Sequence, residues 1–120
     1  MIDHIGLKTQ QFDALADFYE TTLAPLGYTK RFSFEGFVGF GRDGSGGLVC
    51  INPTDTKPSG IHLAISAPDR ASVDAFYADA IAAGATDNGK PGLRLDYGPN
   101  YYAAFVLDPD GNNLEAVCHE

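Results

Sequence analysis

A chain of 120 residues with 44% apolar content is the size of one compact domain and can bury a core without disulfides or a structural metal. Its formal charge of −8, with no basic run, excludes nucleic acid and anionic membrane as main partners, because both need clustered Lys and Arg. The N-terminal MIDHIGLKTQQ has no basic segment leading into an apolar one and no window is apolar enough to span a bilayer, so a cytoplasmic protein is expected.

Ile2 to Lys8 alternates as a half-buried strand, with Asp3, Ile5 and Leu7 on one face and Ile2, His4, Gly6 and Lys8 on the other. Phe12 to Leu26 carries Phe12, Leu15, Ala16, Tyr19, Leu23 and Leu26 at helical spacing, and Gly27 supplies the stop. Three strands are predicted next, Tyr28 to Phe34, Phe37 to Gly41 and Leu48 to Asn52, separated by turns at Glu35-Gly36 and from Arg42 to Gly47. The first half, residues 1–55, reads βαβββ.

After a Pro- and Thr-rich link the order restarts. Ile61 to Ala67 opposes Ile61, Leu63 and Ile65 to His62, Ala64 and Ser66, and Pro68-Asp69 then open an Ala-rich helix running to Gly84. Further strands are predicted near Leu93 to Tyr97, at Tyr102 to Leu107 and at Asn113 to His119, with Asp108-Pro109-Asp110-Gly111 as a turn. The second half, residues 60–120, is also βαβββ. His4 and His62 are each followed after the same interval by a Phe-Tyr pair, Phe18-Tyr19 and Phe76-Tyr77, as a duplicated unit requires. The expected fold is α+β in a single domain: two βαβββ modules forming a curved eight-stranded mixed sheet around a cleft, with the helices on the outer face.

Glu115, between Leu114 and Ala116 in the last strand, is a carboxylate that is costly to bury unless paired or bound to metal. A lone histidine in an apolar strand is more often a hydrogen-bonded core residue, but the repeated position of His4 and His62, joined to Glu115, is a ligand set for divalent iron, manganese, nickel, zinc or cobalt. His119 reads as solvated, Asp108 and Asp110 as turn residues, and Cys50 and Cys118 as buried free thiols of a reducing compartment. No nucleophile-base motif is present. Phe37, Phe40, Tyr97, Tyr101 and Tyr102 are candidates for walls of the cleft, though core packing accounts for most such aromatics.

Asp3-His4-Ile5-Gly6-Leu7, Phe18-Tyr19, Ile61-His62-Leu63-Ala64-Ile65 and the stretch from Phe105 to Glu115 together resemble the vicinal oxygen chelate superfamily, which contains glyoxalase I, extradiol dioxygenases, fosfomycin-resistance transferases and bleomycin-binding proteins. The resemblance spans nearly the whole chain and is most specific at the Asp-Pro-Asp-Gly turn and the Leu-Glu that follows it. It implies paired βαβββ modules, a divalent metal at His4, His62 and Glu115, Glu115 as the catalytic carboxylate, a small-molecule substrate, and a homodimer. Glyoxalase I has a fourth ligand on its fourth strand, whose counterpart here is Val49 or Cys50, so its two-base chemistry is not expected. Lys8 and Asn52 fall near places where glyoxalases hold the glutathione moiety, and Phe40, Tyr97 and Tyr102 are the further substrate-binding candidates. Fosfomycin-resistance transferases carry basic residues beyond the final glutamate, whereas this chain ends at Glu120 with Lys90 and Arg94 as nearby positive charge. Extradiol dioxygenases share the triad but mostly have two double modules. The resemblance thus implies a glyoxalase-like lyase, isomerase or dioxygenase working by bidentate chelation, or alternatively a bleomycin-resistance-like protein that binds a small molecule or antibiotic without catalysis.

Overall fold

The computed structural model describes residues 3–44 and 47–120; Ile2 of the first predicted strand and Ser45-Gly46 of a predicted turn lie outside the described residues. Strand β1 (His4–Thr9) leads through Gln10-Gln11 into helix α1 (Phe12–Leu23), which tightens into a 3-10 turn (Ala24–Leu26) and stops where Gly27 takes the left-handed conformation at φ 83°. Strands β2 (Tyr28–Phe34), β3 (Phe37–Arg42) and β4 (Leu48–Pro53) complete the first module. The second repeats the order with β5 (His62–Ser66), α2 (Arg70–Ala82), β6 (Thr86–Leu93), β7 (Tyr102–Leu107) and β8 (Asn113–Cys118). Asp69 caps α2 by accepting the Ser72 amide, which satisfies an otherwise unpaired donor of the first turn.

The eight strands divide into two four-stranded mixed sheets of matching order, β1-β4-β3-β2 and β5-β8-β7-β6. In each, the first and last strands of the module pair in parallel and the rest antiparallel. The alternation read in the sequence decides the layers. Leu7, Val38, Phe40, Val49 and Ile51 join Leu15, Phe18 and Leu23 of α1, and Ile65, Ala104, Val106, Leu114 and Ala116 join Val73, Phe76 and Ala80 of α2, in one core that runs through both modules. Each large side chain fully buried there contributes about 1.5–3 kcal/mol. His4, Lys8, His62, Ala64 and Ser66 remain exposed on the other, open faces.

The sixth strand departs from expectation: it occupies Thr86–Leu93, not Leu93 to Tyr97. Its Asn-Gly-Lys-Pro-Gly composition reads as a turn, yet β6 is an edge strand that pairs only with β7 and shifts register between Asp87 and Gly89 and between Gly89 and Gly92. An edge strand needs donors on one side only, so Pro91 is tolerated. The apolar run beyond it turns instead, with the Tyr97 amide bonded to the Arg94 carbonyl, leaving Leu95 and Tyr97 70% and 67% exposed. No helix among the described residues is long and apolar enough to cross a membrane.

Candidate functional site

β8 carries Glu115 onto the open face of the second sheet, where it is nevertheless only 2% exposed. Both oxygens are engaged: Oε2 lies 3.1 Å from His62 Nε2, and Oε1 accepts the Tyr101 hydroxyl at 2.5 Å. Burial first, then the Glu115 carboxylate, pushes the Tyr101 phenol up to about 12, so it is a neutral donor over the whole physiological range. The His62 ring lies over Phe105 at 6.3 Å between centroids.

The second ring nitrogen fixes what stands between His62 and Glu115. Nδ1 lies 3.1 Å from the Asn113 carbonyl oxygen, which only accepts, so Nδ1 carries a proton. In a neutral imidazole Nε2 would then turn its lone pair toward a carboxylate oxygen 3.1 Å away. A proton held between the two atoms, or a cation shared by them, must lie along that line. Metal bonds of about 2.0–2.2 Å meeting near a right angle give a donor separation of about 3 Å, and a ligating histidine ordinarily donates its other ring N–H to a carbonyl or carboxylate. His62 and Glu115 therefore fit a divalent ion by chemistry and by spacing.

His4 lies at the equivalent place in the other sheet. It sits on the open face of β1, its side chain 62% exposed, with Nδ1 2.8 Å from Asp3 Oδ1. Among the described residues no three His, Cys, Asp or Glu side chains are gathered as a metal-holding group, so one chain brings His62 and Glu115 together without His4.

Strand register identifies the first-module counterpart of Glu115. Across the first sheet the partners run Gly6, Cys50, Gly39, Phe32; across the second they run Ala64, Glu115, Phe105, Gly89. Gly6 and Ala64 each lie two residues beyond their histidine, so Cys50, not Val49, occupies the position of Glu115. The thiol is 4% exposed, and burial, helped by the charge of Asp3, raises its pKa. The far end of the Phe32 ring covers Gly39, where an added Cβ would overlap it, and the ring stacks on Phe37 at 5.3 Å. At these matched positions the first sheet therefore carries a thiol beside a Phe32–Phe37 stack, and the second a carboxylate beside Phe105.

The remaining candidates separate. Phe40, expected on the cleft wall, is fully buried on the helix-facing side, because the alternation that puts Gly39 on the open face turns its neighbours inward. Tyr102 also faces the helix: its hydroxyl donates to Asp74 of α2 and the Arg70 guanidinium lies 5.1 Å over its ring. The tyrosine on Glu115 is Tyr101, one residue earlier and ahead of the strand, which strand phase alone could not single out. Tyr97 meets Tyr101 edge to face at 5.3 Å, and His119, exposed as expected, does so from another direction at 5.1 Å. Lys8 pairs with Asn52 across β1 and β4 and lines, with Lys57, a cavity of about 360 Å³ between β1 and the intermodule link.

The profile of the Glyoxalase/Bleomycin resistance protein/Dioxygenase superfamily matches residues 1–116 of this chain. A glyoxalase/bleomycin resistance protein from Albidiferax ferrireducens superposes with a TM-score of 0.84 at 24% identity, covering 100% of this chain and 99% of its own. A glyoxalase/bleomycin resistance protein/dioxygenase family enzyme from Burkholderia phytofirmans gives 0.76 at 23% identity, with 98% of each chain covered. Lactoylglutathione lyase from Agrobacterium tumefaciens gives 0.71 at 19% identity, covering 98% of this chain and 92% of its own. At such identities the likeness shows the fold. No curated protein sequence matches this chain.

Proposed function

Because the chain belongs to the Glyoxalase/Bleomycin resistance protein/Dioxygenase superfamily, we propose that it is a metal-dependent enzyme of lyase, isomerase or dioxygenase type acting on a small oxygenated substrate. A divalent ion, iron, manganese, nickel, zinc or cobalt, is held by His62 and Glu115 of one copy and completed by His4 of a second copy in a homodimer. The observation that carries this reading is the 3.1 Å approach of Nε2 to a buried carboxylate oxygen while Nδ1 is committed to a carbonyl. When bound, such an ion would supply Lewis-acid chemistry toward neighbouring oxygens of the substrate, worth several kcal/mol of charge stabilisation.

The chain's own residues do the rest. Phe105 backs the His62 ring, and Tyr101 holds one oxygen of Glu115. With a thiol at position 50 in place of a second carboxylate, Glu115 is the one carboxylate of the paired positions able to take a substrate proton. Lys8 and Lys57 give the cavity along β1 a positive lining suited to an anionic end of the substrate. The free thiols Cys50 and Cys118 suit action in the cytoplasm.

Metal analysis of protein purified without chelator, beside a His62→Ala variant, tests the site. A divalent ion retained by the wild type and lost from the variant is expected, and equal low occupancy in both would remove the metal. The loaded form is then screened against hemithioacetals, catechols and epoxides. The aromatic stack of the first sheet favours a second reading, sequestration of a planar ligand without catalysis: Phe34, stacked on Phe32 at 6.2 Å, is left 67% exposed. Chelator abolishes turnover under the first reading and leaves ligand binding intact under the second.

A further inference from the structure

We propose that Tyr101 is a positioning residue that decides which oxygen of Glu115 is offered to the ion, an inference that rests on the metal reading above. A carboxylate has two equivalent oxygens and can bind a cation through one or through both. Here the two are distinguished by their neighbours. The Tyr101 hydroxyl donates to Oε1 at 2.5 Å, and Oε2 alone points at His62 Nε2. A donor seated on Oε1 disfavours its turning toward a cation, so Glu115 presents a single oxygen and one more coordination position stays open for the substrate.

Tyr101 is placed to hold that geometry. It is only half-buried and precedes β7, so the sheet ladder does not fix its side chain. Two rings fix it instead: Tyr97 packs against it edge to face at 5.3 Å and 76°, and His119 at 5.1 Å and 87°. Edge-to-face pairs restrain the ring without competing for its hydroxyl. This gives a role to the turn after β6 and to the residue after β8, both of which otherwise look like solvated ends. The contacts form a chain from two exposed aromatic side chains through a phenol to a buried carboxylate.

Cobalt(II) titration of the full chain, wild type and Tyr101→Phe, followed by visible absorption, tests the proposal. Tyr101→Phe removes one oxygen from a half-buried ring, and the melting temperature of the metal-free variant is measured alongside as a check that the fold persists. The expected result is affinity weakened by about 10–100-fold, as for other outer-shell partners of metal ligands. With it comes a lower absorption per bound cobalt, because a freed Oε1 joins the ion and higher-coordinate cobalt(II) absorbs more weakly. Unchanged affinity and spectrum overturn the role of Tyr101, and so does weakened affinity with an unchanged spectrum, which would mark the tyrosine as support for the fold alone. Failure of the wild type to take up cobalt has a different meaning, since it overturns the metal reading itself and this role with it.

Discussion

Tyr19 of α1 donates its hydroxyl to Asp108 Oδ2 at 2.8 Å, a buried bond that, with those from Gln11 to Pro109 and Asp110, ties the first module to the turn that precedes β8 in the second. Asp108, 5% exposed, accepts three more hydrogen bonds: the Asp110 and Asn112 amides reach Oδ1 and the Asn112 side chain reaches Oδ2. Asn112 in turn accepts the Ile61 amide at the entrance to β5. The Asp-Pro-Asp-Gly turn is therefore a joint between modules as well as a chain reversal, and it sets where β5 and β8, the strands of His62 and Glu115, begin.

Tyr19→Phe keeps the ring in the core and removes only the donor, leaving a buried carboxylate short of one partner. Hydrogen bonds to charged groups are worth about 1.5–3 kcal/mol, and a loss of that size in denaturant-induced unfolding is expected. Asp108→Ala strips all four bonds and should cost more. A Tyr19→Phe variant as stable as the wild type would mean that this bond is not a source of stability.

The same bond predicts how stability varies with alkaline pH. Burial first and then the Asp108 charge hold the Tyr19 pKa well above its ordinary value, and Tyr101 is likewise raised to about 12. A group whose folded pKa is raised contributes stability that is fully present below its unfolded pKa, about 10 for tyrosine, and lost as pH rises through the folded value. The stability difference between wild type and Tyr19→Phe should hold steady up to about pH 10 and shrink above it. Unfolding curves of the two proteins at stepped pH measure this, and a difference that grows with alkalinity would reverse the sign.

Cys50 supplies a chemical test of the register. A thiol 4% exposed, with its pKa raised by burial and then by Asp3, holds little thiolate and admits little reagent. Cys118 is 2% exposed on the last strand. Both should resist a disulfide reagent in native protein and react fully once it is unfolded, at rates that follow opening of the fold. Rapid labelling of native Cys50 would contradict its burial in the row that runs from Gly6 through Gly39 to Phe32.

Much of this architecture was legible in the sequence, because hydrophobic period and turn chemistry act locally. Leu7 and Ile65 point inward and His4 and His62 outward as their alternation requires, and α1 ends at Gly27 where a left-handed residue is needed. The misplaced sixth strand marks where locality fails: Asn88 to Gly92 are poor strand residues that an edge tolerates, and nothing in the segment itself says that it lies at an edge. Phe40 and Tyr102 were candidates for the cleft by residue type, yet strand phase sends both toward the helices. Tyr101 was a candidate for the cleft wall, but its bond to Glu115 was not legible because it lies ahead of the strand, where no period operates. Register, available only once strands pair, was needed to choose Cys50 over Val49.

The periodicity of β1 and β5 gives the faces of His4 and His62 but carries nothing about the distance between them, and within one chain the two belong to different sheets. If the site joins His4 of one copy to His62 and Glu115 of another, a twofold dimer contains two identical sites, each drawing on both chains. His4→Ala and His62→Ala homodimers each lack a ligand in both sites and should bind metal poorly. Unfolded together and refolded as a mixture, they form heterodimers in which one site carries both substitutions and the other carries neither. Random pairing makes half the dimers mixed, so metal binding should return to about a quarter of the wild-type capacity. Recovery measured by cobalt uptake at that level supports a shared site. No recovery in a mixture proven to contain heterodimers would show that His4 does not reach across to the second copy.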